Sequence, residues 1–128
     1  MSIGRLAREE GLGVEDVVLV PGLLCDDALW EAQRTALEPR FKVQVARLDQ
    51  GATITEIAGH VLAAAAPRFA LAGLSLGGYV ALEIMRQAPA RVCRLALLDT
   101  SARPDDAEKQ RRRRGLIELA QKGRFKGV

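Results

Sequence analysis

A chain of 128 residues, 48% apolar and 27% charged, is long enough to bury one hydrophobic core and too short for two, so it should fold as one unit or as part of one. Its net charge of +3 rests largely on the last quarter, where Arg111 to Arg114 stand together, so a uniformly basic, nucleic-acid-binding surface is not indicated. The first ten residues mix Arg5, Arg8, Glu9 and Glu10 with isolated apolar residues, which is not a secretory leader. Pro67 and Arg68 interrupt the Ala- and Leu-rich stretch from Val61 to Leu76, and neither half approaches the roughly 20 apolar residues that span a bilayer. A cytoplasmic protein without a membrane segment is expected.

In chain order, residues 1–16 form an N-terminal segment. Val17-Val18-Leu19-Val20 is a short β-branched run stopped by Pro21-Gly22, the pattern of a buried strand ended by a turn. Asp26-Asp27 offers an N-cap, and Ala28, Leu29, Ala32, Ala36 and Leu37 recur at helical spacing up to Pro39. Phe41 to Leu48 alternates as a second strand, and Thr53 with Glu56 makes a capping box for a helix through Ile57, Val61 and Leu62 towards Pro67. Phe69 to Ala72 predicts a third strand, Gly77 to Gln87 a third helix, Val92 to Leu98 a fourth strand and Asp106 to Lys122 a last helix weakened by Gly115. Strands alternating with helices imply an α/β fold, a parallel sheet with helices on both faces. Cys25 and Cys93 have no metal-ligand or redox spacing and are expected to be buried structural thiols.

The densest signal is Gly73-Leu74-Ser75-Leu76-Gly77, a G-x-S-x-G at the junction of an apolar strand and a helix. A serine on such a sharp turn has a strained backbone, and glycines two positions before and after leave room for neighbouring main chain. Ser75 would expose its hydroxyl at a helix N-terminus that favours developing negative charge. The N–H of Leu76 would serve as one oxyanion donor, a contact typically worth roughly 3 to 4 kcal/mol in a transition state. A Gly-rich turn in a nucleotide-binding domain is the competing reading. It is disfavoured because neither G-x-G-x-x-G nor a Walker-type phosphate loop is present.

With Pro21-Gly22-Leu23 upstream and Gly78 downstream, the stretch from about Val17 to Pro104 resembles the core of the α/β-hydrolase family in its serine-hydrolase, esterase branch. The resemblance covers the N-terminal part of that fold and about four of its strands, so a truncated sheet is implied. It implies Ser75 as nucleophile and the N–H of Leu23 as second oxyanion donor, with Leu24 as the fallback. Pro21 stands where the family usually has histidine, and the backbone donor survives that change. Residues 17–104 are then the hydrolase core and 105–128 a charged helix at the start of the cap region, with Leu116, Ile117 and Leu119 as its apolar underside. The substrate implied is a small acyl compound such as a carboxylic ester, and neither cofactor nor metal is implied. Ser rather than Asp at the elbow separates the chain from haloalkane dehalogenases and epoxide hydrolases. It does not separate esterases from thioesterases, C–C hydrolases or acyltransferases.

A serine needs a base, and in this family the order is Ser, then Asp or Glu, then His. No histidine follows Ser75; the single one, His60, lies on the helix between the second and third strands, where a packed or solvated role is expected. Asp99 is either the triad acid or the carboxylate of an Asx turn through Thr100 and Ser101. Loss of a triad histidine costs on the order of a millionfold in turnover, so the chain alone is expected to be nearly inactive. Trp30 and Tyr79 flank the expected site and are read first as packing residues, then as pocket lining. Arg111 to Arg114 point in all directions from a helix without interleaved aromatics and are read as a solvated segment, not a nucleic-acid patch. The competing function is a non-catalytic interaction module whose unpaired sheet edges bind another chain or a second copy.

Overall fold

The computed structural model describes residues 16–124. The expected N-terminal segment 1–16 therefore lies almost wholly outside the described residues. Four strands, β1 (Asp16–Val20), β2 (Lys42–Val45), β3 (Phe69–Leu74) and β4 (Val92–Leu98), form one parallel sheet in the order β2-β1-β3-β4. Helices α1 (Glu31–Leu37), α2 (Ile54–Ala64), α3 (Leu76–Gln87) and α4 (Ala107–Gln121) follow the strands in turn.

Strand alternation sorts the apolar side chains onto two faces. Val18, Val20, Phe69 and Leu71 meet Ile57, Ala58, Val61 and Leu62 of α2 and Val80, Ala81 and Ile84 of α3. Val17 and Leu19 face the other way, onto Trp30 and the partly buried Leu37, Phe41, Val43 and Val45. Two helices thus cover one face, whereas α1 and the 3-10 turn before it (Asp27–Trp30) cover part of the other.

Local chemistry accounts for the element ends. The Asp26 carboxylate accepts the Ala28 N–H at 2.9 Å, so the helix expected there starts as the 3-10 turn before becoming α1. Thr53 accepts the Glu56 N–H at 3.1 Å, while the Glu56 carboxylate takes the N–H of Ala52 at 2.7 Å, one residue earlier than in the usual reciprocal box. Strand β2 is shorter than Phe41 to Leu48 because the Phe41 N–H is spent on the Leu37 carbonyl at 3.0 Å. Strand β3 runs two residues further than expected, through Gly73 and Leu74, which pair with Leu97 and Leu98.

The cysteine expectation is corrected. Cys25 is exposed and Cys93 half-buried, because Cys25 lies in the loop after β1 and Cys93 is the extra residue where the β3–β4 register shifts, between the pairs Phe69–Val92 and Ala70–Arg94.

Candidate active site

The strand order reverses at the centre of the sheet. After β1 the chain passes over one face to β2, and after β3 it passes over the opposite face to β4. Loops leaving adjacent strands in opposite directions open a crevice at the strands' carboxyl ends, the usual ligand site of an open α/β sheet. The Pro21–Cys25 loop and Ser75 both sit at that end.

Ser75 joins β3 to α3 with φ 53° and ψ −114°, a left-handed backbone that a residue with a Cβ adopts only at a cost of order 1–3 kcal/mol. The turn is held by close main-chain contact. A Cβ on Gly73 would land on the backbone of Gly77, and one on Gly77 would land on the carbonyls of Val20 and Pro21. Glycine is required at both places for approach. The Ser75 N–H donates to the Leu98 carbonyl at 3.0 Å. The Ser75 carbonyl accepts from the Gly78 N–H at 2.9 Å and from the Thr100 hydroxyl at 2.8 Å.

Among the described residues no acceptor takes the N–H of Leu76, the first residue of α3. The Gly22 loop lies alongside, since a Cβ on Gly22 would be 3.6 Å from Ser75 Cβ and 3.7 Å from Cys25 Sγ. Its turn is closed by the Cys25 N–H on the Gly22 carbonyl at 3.2 Å, with Leu24 at φ 57°. The N–H groups of Leu23 and Leu24 likewise have no acceptor among the described residues, and both side chains are exposed. Ser75, Leu76 and the Leu23 loop are therefore brought together.

Asp99 directly follows Leu98, whose carbonyl holds Ser75, and has φ 43°. Among the described residues its carboxylate makes no hydrogen bond; the Asx turn expected there is replaced by Ser101 Oγ accepting the Arg103 N–H at 3.1 Å. His60 is exposed on α2. Trp30 is 5% exposed in the core against Val17 and Leu19, with its indole N–H lacking a partner among the described residues. Tyr79 is half-buried on α3 and reaches Arg113, whose pKa is raised first by Asp105 and to a lesser degree by Tyr79. Arg111 to Arg114 are all exposed, and no residue of α4 is buried, so Leu116, Ile117 and Leu119 form no packed underside here. Thr100, which no sequence pattern singles out, anchors the elbow; the contact of Gly78 with its side chain is the trace it leaves in the sequence.

Among the described residues there is no cluster of metal-ligating side chains and no helix long and apolar enough to cross a membrane. No family model matches the sequence. The thermophilic esterase of Thermogutta terrifontis superposes on 84% of the chain with a TM-score of 0.66 and 35% identity. The chain belongs to the α/β-hydrolase fold family. The enol-lactonase of Burkholderia xenovorans, at 27% identity and a TM-score of 0.66, matches 85% of this α/β-hydrolase chain. In sequence, the pimeloyl-[acyl-carrier protein] methyl ester esterase of Pectobacterium carotovorum is 35% identical over 102 residues, 73% of this chain. The chain spans 40% of that relative and 44% and 49% of the two structures.

Proposed function

We propose that this α/β-hydrolase chain carries the nucleophilic half of a serine hydrolase acting on a carboxylic ester or similar small acyl compound. The observation that carries the reading is Ser75 at φ 53°, ψ −114° on the β3–α3 junction, beside the Gly22 loop. Strain of this kind persists where surrounding structure over-determines it, and at a strand-to-helix junction such a turn serves to expose a nucleophile's hydroxyl.

In the proposed reaction, Ser75 Oγ attacks the acyl carbonyl carbon, and the oxyanion accepts hydrogen bonds from the N–H of Leu76 and of Leu23, with Leu24 the alternative. The alcohol leaves, and water then attacks the acyl-serine to release the acid and restore Ser75. Each half needs a proton acceptor, and no histidine follows Ser75 in the sequence. Asp99, between the Leu98 and Thr100 that bond the Ser75 peptide, is the acid that would orient such a base in this proposal, and without that base the chain turns over very slowly. Segment 105–128 is the start of a cap in the same proposal.

A fluorophosphonate probe tests this. The folded chain should be labelled slowly and at Ser75 alone, with labelling abolished in Ser75→Ala. Labelling that survives Ser75→Ala, or a folded chain that is never labelled, overturns the assignment. The second outcome favours the non-catalytic interaction module.

A further inference from the structure

Ser75 lies between two peptides, and both are held by the chain that leaves β4. The Ser75 N–H donates to the Leu98 carbonyl at 3.0 Å. The Ser75 carbonyl accepts the Thr100 hydroxyl at 2.8 Å and the Gly78 N–H at 2.9 Å. That carbonyl and the N–H of Leu76 belong to one planar unit, and in a trans peptide the two groups point in opposite directions. The Ser75–Leu76 peptide is trans. Whatever grips the Ser75 carbonyl therefore aims the Leu76 N–H.

We propose that Thr100 is a positioning residue for the oxyanion donor, its hydroxyl fixing the direction of the Leu76 N–H and strengthening it through the Ser75 carbonyl. The inference rests on the reading of Ser75 as nucleophile. Rotation of the Ser75–Leu76 peptide is the soft motion that would swing the donor away from an oxyanion. The Gly78 bond closes within the first turn of α3 and so ties the peptide only to its own helix. The Thr100 bond comes from 25 positions further along the chain, at the end of the neighbouring strand, and ties the peptide to the sheet. A carbonyl that accepts a hydrogen bond also polarises its own peptide, so that the N–H on the far side donates more strongly, by roughly 10–30% per bond.

Gly78 is the second half of the device. A Cβ there would fall 2.2 Å from Thr100 Oγ1 and 2.5 Å from both Thr100 Cβ and Cγ2, closer than any real contact. The glycine that follows the G-x-S-x-G pattern thus leaves the space in which the Thr100 side chain sits against the elbow. Neither residue needs to touch substrate: Thr100 acts through the Ser75 peptide, and Gly78 by having no side chain.

Two measurements on the full chain test the proposal with Thr100→Ala and Thr100→Ser, and Thr100→Val stands in should the alanine variant not fold. The phosphoryl oxygen of a fluorophosphonate occupies the oxyanion position as it reacts. Labelling of Ser75 should be on the order of tenfold slower in Thr100→Ala than in the wild type, and Thr100→Ser should recover most of the rate, with circular dichroism showing each variant folded. In heteronuclear NMR spectra, the Leu76 amide nitrogen, which responds to hydrogen bonding at the preceding carbonyl, should shift in Thr100→Ala and return in Thr100→Ser. A purely structural threonine would lower the melting temperature and leave the labelling rate of the folded chain unchanged. Equal rates in the wild type and folded Thr100→Ala overturn the proposal, as does an unmoved Leu76 resonance or a rate that Thr100→Ser fails to restore. A wild type that is never labelled overturns the nucleophile reading instead, and the Leu76 resonance then decides alone whether Thr100 sets that N–H.

Discussion

Ser75 has a backbone set by its neighbours' sizes. Its left-handed φ follows from Gly73 and Gly77 letting β3, α3 and the end of β1 approach to main-chain contact, with Thr100 and Leu98 fixing the peptide on either side. The cost falls on the Ser75 Cβ, so Ser75→Ala and Ser75→Gly should separate, since both lose the hydroxyl and only glycine loses the strain. We expect the glycine variant to be more stable than the alanine variant by about 1 kcal/mol, after the entropy glycine adds to the unfolded chain. Thermal melts should place it several degrees higher, and equal midpoints would mean the turn is unstrained. The glycines were readable because the motif itself demands them. Thr100 was not, because its partner is a carbonyl brought close only by the pairing of β3 with β4.

Among the elements, the strongest tie that sequence inspection passes over is Arg91. It lies between α3 and β4, and its guanidinium donates to the carbonyls of Leu62, Ala65, Ala66 and Pro67 at 2.7–3.2 Å while standing 5.6 Å over the Phe69 ring. One side chain thus caps the C-terminal end of α2, where backbone acceptors have no intrahelical donors. Arg91→Ala should cost about 1 to 3 kcal/mol, and Arg91→Lys should recover little, since an ammonium lacks the planar fork. Urea denaturation measures both. A second tie is acid-sensitive: Arg86 first, and Gln87 second, hold the Glu83 carboxyl down from 4.5 to about 2. A depressed carboxylate stabilises the fold above its unfolded value and loses that contribution as pH falls. The stability gap between wild type and Glu83→Gln should therefore be full above pH 4.5 and close as pH approaches 2, read from urea midpoints across that range. Helix α2 itself was legible through Thr53 and its apolar spacing, and β1 and β4 through uninterrupted apolar runs. The far end of β2 was not, because the alternation up to Leu48 outlasts the ladder of hydrogen bonds.

At the scale of the molecule, stability is concentrated at the middle of the sheet. β1 and β3 have neighbours on both sides and side chains in both clusters, whereas α4 buries no residue. Hydrogen exchange should be slowest in Val18–Val20 and Phe69–Leu71 and close to the unfolded rate through Ala107–Gln121; strong protection of α4 would show that it packs against something. Composition could not reveal this, because the Leu116–Ala120 stretch reads as a packing face and none of it is fully buried among the described residues. Cys25 misled for a related reason. Cysteines are buried on average, but this one belongs to a loop whose place at the crevice is set by the strand order. That order also has a kinetic side. The last partner of β1 to be made is β3, so the Gly22 loop and Ser75, about fifty positions apart, meet only after a long loop closes at an entropic cost that grows with its length. Folding that begins locally, with β1, α1 and β2, yields an intermediate with half a sheet and no crevice. Slow steps in refolding, and any refolding defect of elbow variants, should then appear in the docking of β3 onto β1, the event that creates the site.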